Sequence, residues 1–300
     1  MTMSQTLITS RDPKGLHAVG LFEAAYNRSK LDDARAQRLN ERGGELQDGI
    51  AKLIADLTTP NQYANEEVRS TYTYPKEYKG PKPIADQIKA IAKIFDLDPS
   101  QALEFVKNLP ALPEGAEGWF AIPSVAALAK KHFPEVTDPA EKYCQAVQLV
   151  HAKVAVSRSF YNYREGQIVP AQLRVHARTA HALDLIAETQ EASDILIVAA
   201  QIGIRHRGKS VRRARAVFVA NEFGLGSLAV GSIVLTHPER LVRWEELDMD
   251  CAGDEFDDPV SAARFGSAPF FYFDDGEVGF GACVVSVAGD GCGSASGFVP

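Results

Sequence analysis

Between Asp194 and Glu222 the chain carries six cations and no acid: Arg205, Arg207, Lys209, Arg212, Arg213 and Arg215. Guanidinium and ammonium groups packed this densely suit phosphate oxygens, which arginine can grip through two parallel N–H donors. Read as a helix over 209–220, at 100° per residue, Val211, Ala214 and Phe218 share one face. Lys209, Arg212 and Arg213 fall opposite, and Arg215 flanks the apolar side. Such a helix would hold the core with one side and offer cations to phosphate groups, nucleic acid above all, with Arg205 and Arg207 extending the cluster. The competing expectation is a helix face neutralised within the fold.

The same stretch contains Gly203-Ile204-Arg205-His206-Arg207-Gly208-Lys209-Ser210. It matches G-x-x-x-x-G-K-[ST] and resembles the Walker A loop of P-loop NTPases. The resemblance covers eight residues and implies a nucleotide-binding enzyme. Backbone N–H groups would wrap a phosphate, Lys209 would neutralise the β- and γ-phosphates, and the Ser210 hydroxyl would hold Mg²⁺. A carboxylate for the metal shell would come from Asp274 or Asp275, and residues 203–210 would have to be a loop between a strand and a helix. The preceding segment, 194–204, fits a buried strand and a helix equally well.

Acids concentrate elsewhere. From Glu245 to Pro300 twelve acids face one base, Arg264, so this segment carries −11 and residues 1–244 carry +4. Asp248, Asp250 and Asp254, with Gly253, echo the opening of a calcium loop. Ala252 and Pro259 stand at its fifth and twelfth positions and exclude an EF-hand, which leaves the three aspartates as an expected oxygen site for Mg²⁺ or Ca²⁺. The alternative is a solvent-facing loop that answers the basic helix. Histidines add little, since His176 and His181 at i, i+5 diverge on a helix. Cys251 sits among acids that disfavour its thiolate, and no G-x-S-x-G nucleophile pattern occurs.

These residues need elements to position them. Ile84, Ile88, Ile91 and Phe95 make one helical stripe. Asp138-Pro139-Ala140-Glu141 predicts a helix start, with an acidic N-cap and proline in the first turn. Residues 16–57 read as two helices broken at Gly43-Gly44. Residues 58–82 read as a long loop with a short strand at Thr71–Tyr74. A hairpin is expected over Phe160–Ile168, helices over 171–188 and 225–235, and a second hairpin around Asp274-Asp275-Gly276-Glu277. The Gly/Ser-rich tail reads as irregular. The expected class is α+β: a helical segment 1–60, a Pro/Tyr-rich linker 61–82, a helical core 83–240 with the basic helix, and an acidic β-rich part 241–300.

No apolar run approaches the roughly 18 residues of a membrane span. The first twenty residues lack a basic stretch followed by an apolar run, so no secretory leader is expected. Four cysteines without a C-x-x-C pair point to free thiols in the cytoplasm. The leading expectation is a binding protein that contacts nucleic acid or another phosphate-bearing ligand through the basic helix. The alternatives are the P-loop-like enzyme and a non-catalytic assembly protein that forms homo-oligomers.

Overall fold

The helical N-terminal stretch forms three helices: α1 (Pro13–Arg28), α2 (Asp33–Glu41) and α3 (Gly43–Thr58). The computed structural model describes residues 9–58, 62–259 and 261–300. The expected break at Gly43-Gly44 falls at Arg42, between α2 and α3, and a further break falls at 29–32. There Lys30 turns to a φ of 46°, and Asp32 caps α2 by accepting from the Arg35 N–H at 2.8 Å. The two glycines open α3. These helices belong to one compact unit, 1–59, and residues 60–300 form a second.

In the second unit α4 (Ile84–Phe95) buries Ile88, Ile91 and Phe95, the stripe read from the sequence. Then come α5 (Ser100–Phe105), β1 (Gly118–Pro123), α6 (Val125–His132) and α7 (Pro139–Ser157). Asp138 caps α7 by accepting from the Glu141 N–H at 2.8 Å, as the sequence pattern predicts. Next are β2 (Phe160–Asn162), β3 (Leu173–Val175), α8 (Ala177–Thr189), β4 (Ile195–Gln201), α9 (Val211–Val217), β5 (Glu222–Gly224) and α10 (Ser227–Thr236). The chain ends with β6 (Asp248–Asp250), β7 (Asp254–Phe256), β8 (Ser267–Asp274), β9 (Glu277–Val284), β10 (Cys292–Ser294) and β11 (Ser296–Phe298).

The class is α+β. An antiparallel four-stranded sheet runs β1-β4-β11-β5, and a mixed seven-stranded sheet runs β10-β6-β8-β7-β3, with β9 beside β8 and β2 beside β9. α10 is buried almost all round and packs on α7 and β1. The ambiguous segment 194–204 is strand β4, buried at every residue. Burial on both faces of a central strand explains its unbroken apolar run.

Three local expectations fail, two of them to long-range pairing. Phe160–Asn162 forms no hairpin; it pairs in parallel with Val278–Phe280 of β9. Thr71–Tyr74 is irregular. The tail is not: β10 pairs with β6, and β11 lies between β4 and β5. Small residues there let strands meet closely without side chains to declare them. The β8–β9 hairpin forms as read, with Asp275 and Gly276 both at positive φ in the turn. No helix among the described residues is long and apolar enough to cross a membrane.

Candidate functional site

The segment 203–210 runs from the end of β4 to the start of α9, which is the order the Walker A resemblance requires. Its backbone donors, however, point inward to protein. The N–H groups of Gly203 and Arg205 donate to Gln201 Oε1, and that of Ile204 donates to the Tyr74 hydroxyl. Those of His206, Gly208, Lys209 and Ser210 donate to the carbonyls of Gly203, Cys292, His206 and Glu66. Seven of the eight N–H groups are thereby engaged. Gly208, at φ 73°, answers a close approach: a Cβ there would lie 2.3 Å from the Val68 carbonyl oxygen. Ser210 caps α9 through the Arg213 N–H at 3.1 Å and donates its hydroxyl to Glu66 Oε2 at 2.7 Å.

The helix face expected to present cations is strapped by residues 62–68. Arg212 pairs with Glu66, and Arg213 pairs with Glu67 while donating to the Gln62 carbonyl at 3.0 Å. Hydrogen bonding from Arg212 holds the Glu66 carboxyl below its ordinary range. Lys209 precedes α9 and bridges to Glu67 through the backbone. Burial pulls its ammonium pKa down. Arg207 donates to the Tyr72 carbonyl at 2.8 Å. Arg205 lies 3.4 Å from Glu222, a buried carboxylate that also takes His206 at 2.7 Å and the Ser296 hydroxyl at 2.6 Å.

Arg215 behaves differently. α9 is only two turns long, and Arg215 leaves it towards the Ala252 turn. Its guanidinium donates to the carbonyls of Ala252 and Asp254 at 2.9 and 2.6 Å. No carboxylate comes within ion-pair distance among the described residues. It faces a cleft of about 310 Å³ whose lining includes Arg178, Arg212, His176, Tyr63 and Phe218. Arg178, in the first turn of α8, likewise donates to carbonyls, those of Val219 and Ala220, and has no carboxylate partner among the described residues. The floor is bare backbone at Gly224 and Ala252, and no acid lines the cleft.

The cleft is built by packing. Arg212 lies over the Tyr63 ring at 4.3 Å and Arg178 over Phe218 at 5.8 Å, so aromatic faces support two of the three guanidinium groups. His176 caps α8, its Nδ1 accepting the Arg178 N–H at 3.3 Å. That bond leaves the ring proton on Nε2, a donor. Burial and the neighbouring Arg215 pull the His176 pKa down, so the ring is neutral. The positive end of the 13-residue α8 adds to the local field.

The expected metal site does not assemble: among the described residues no three His, Cys, Asp or Glu side chains come together to hold an ion. Asp254 spends its oxygens on the Tyr143 hydroxyl and the Ser227 N–H, each at 2.6 Å. Asp250 takes only the Ser294 hydroxyl, at 3.4 Å. Asp274 and Asp275 sit exposed in the β8–β9 turn.

Of the residues singled out in the sequence, the fold brings Arg212 and Arg215 to the cleft and turns Arg205, Arg207, Lys209, Ser210 and Arg213 into internal contacts. Arg178, His176 and Tyr63 were missed. Their only sequence signal is a His-Ala-Arg step at a helix start, which carries no phosphate signature. No protein-family model matches the chain, and no curated protein or solved structure matches it.

Proposed function

We propose that the protein binds a phosphate-bearing ligand, free or on nucleic acid, through the arginine-lined cleft beside α9. The observation that carries this reading is the pair Arg178 and Arg215: two guanidinium groups line one concave site without a carboxylate partner among the described residues. A partly buried cation satisfied only by carbonyl dipoles gains most from an anion that completes its hydrogen bonds. Calorimetric titration with inorganic pyrophosphate and with a single-stranded oligonucleotide tests it. Saturable binding that weakens with salt, and falls in Arg178→Gln, is expected. Lys209→Ala, outside the cleft, leaves it unchanged. Failure of both probes to bind sinks the reading.

A second reading, an assembly role, is favoured by the N-terminal unit. Leu16, Val19, Leu21, Tyr26, Leu46, Leu53, Ile54 and Leu57 are all exposed there, and no side chain of α1 or α2 is buried. With no side chain buried among its described residues, a unit of this size is marginal alone. Light scattering tests this role: a homo-oligomer that dissociates in Leu53→Glu/Leu57→Glu is expected, and a monomer at high concentration removes it.

A further inference from the structure

Phosphate groups come in two charge classes. An internal phosphodiester carries one negative charge and two substituents. A terminal phosphomonoester carries one substituent and close to two charges at neutral pH. The charges around the cleft distinguish between them. Arg212 is cancelled by Glu66. Arg178 and Arg215 form no ion pair among the described residues; Glu222 acts on Arg178, and Glu255, Asp254 and Asp250 act on Arg215, only from beyond contact distance. Glu255 pairs with Arg174, Glu222 with His206 and Arg205, and Asp254 with the Tyr143 hydroxyl and the Ser227 N–H.

From this we infer that the cleft takes a terminal phosphomonoester as its dianion, in preference to an internal phosphodiester; the inference rests on the phosphate reading above. Two guanidinium groups without a direct carboxylate contact suit two charges, whereas a diester would leave one of them unanswered. The donors also suit a terminal group. Both guanidinium groups use carbonyls for only some of their five N–H donors, and His176 Nε2–H is a third, neutral donor beside them. A terminal PO₃ group offers three equivalent oxygens to three donors; a diester offers two. Space points the same way. At about 310 Å³ the cleft lies at the small end of ligand pockets, which suits a phosphate with a compact substituent.

The test is calorimetry on the full chain with five probes: AMP, 3′,5′-cyclic AMP, glucose 6-phosphate, and one hexathymidylate with either a 5′-phosphate or a 5′-hydroxyl. AMP is expected to bind at least about tenfold more tightly than cyclic AMP, a gap of about 1.4 kcal/mol. Arg178→Gln should close most of that gap. Arg178 is chosen because it is half-exposed on α8; Arg215→Lys, with its melting temperature recorded, is the second variant. Sources separate within the same experiment. A phosphorylated hexamer stronger than AMP identifies a nucleic-acid end, and glucose 6-phosphate equal to AMP identifies small phosphoesters in general; both support the dianion. Equal affinity for AMP and cyclic AMP, with both hexamers binding alike, overturns the inference and leaves phosphate binding standing. If none of the five binds, both fall.

Discussion

The Arg212 Nε lies 2.9 and 2.8 Å from the two carboxylate oxygens of Glu66, across 146 residues of sequence. The same carboxylate takes the Ser210 hydroxyl, so one side chain of the strap fixes both the cap of α9 and the position of a cleft arginine. Glu66→Ala removes those acceptors at once. A loss of about 2 kcal/mol is expected from leaving part-buried donors unpaired. Because Arg212 is then no longer cancelled, pyrophosphate should bind more tightly even as stability falls. Glu66 also has a folded pKa below the 4.5 of the free group. Its contribution is therefore complete above that value and is lost as the pH falls below it. Denaturant melts and calorimetry on the variant check the pair of effects; a simultaneous loss of stability and affinity would contradict it.

That contact also marks where sequence reading stopped. Local patterns worked where the cause is local: the Asp138 cap, the Ile88–Phe95 stripe, the Asp275-Gly276 turn and the apolar helix α10 were all legible. Six cations without an acid were visible too, but their neutralisation was not. Glu66 and Glu67 lie in a stretch with no helical or strand period, and nothing in their spacing points to a helix 146 residues away. The tail strands were hidden for a related reason. Gly293, Ser294, Ser296 and Gly297 show no alternation, since what they contribute is backbone pairing and the absence of bulk.

His151 is buried on α7 among the rings of Phe160, Phe271 and Phe280, with centroids at 5.4, 5.7 and 4.3 Å. Neither ring nitrogen has a protein partner. Burial pulls its pKa to about 3, from an ordinary 6.5. Folding therefore favours the neutral ring. The contribution is complete above about pH 6.5 and is lost as the pH falls towards 3. His151→Leu fills the same space without polar atoms. A gain of about 1 kcal/mol near neutrality is expected, together with a flatter acid limb. A melting-temperature series from pH 4 to 8, on both proteins, reads this out; a large loss at neutral pH would mean that the imidazole has a partner.

Asp248 shows the opposite sign. Among the described residues its carboxylate makes no hydrogen bond or ion pair, and burial, with Asp250 beside it, pushes its pKa from 3.8 up to about 8. The folded state thus holds this proton more tightly than the unfolded chain does. Its contribution is present at acid pH and is lost as the pH rises through 8. Asp250, pushed by burial to about 7, adds to the same trend. Asp248→Asn should therefore be more stable than the parent near pH 9 and equal to it near pH 4. Urea midpoints at the two pH values decide the matter, and a variant equal to the parent at both would show that Asp248 ionises without penalty.

Gly224 connects the fold to the cleft. A Cβ there would lie 2.3 Å from the Ala252 carbonyl carbon and 2.4 Å from its oxygen, and that oxygen accepts from Arg215 Nε at 2.9 Å. Both obstacles are backbone, so neither can swing aside as a side-chain tip could. Gly224→Ala must push β5 away from the Ala252 turn. Overpacking of this kind costs about 1–3 kcal/mol. Because the displaced carbonyl anchors the guanidinium, the affinity for pyrophosphate should fall at least about tenfold at a temperature where the variant is still fully folded. Lost stability with unchanged affinity would show that Arg215 keeps its place without this anchor, held by its bond to the Asp254 carbonyl.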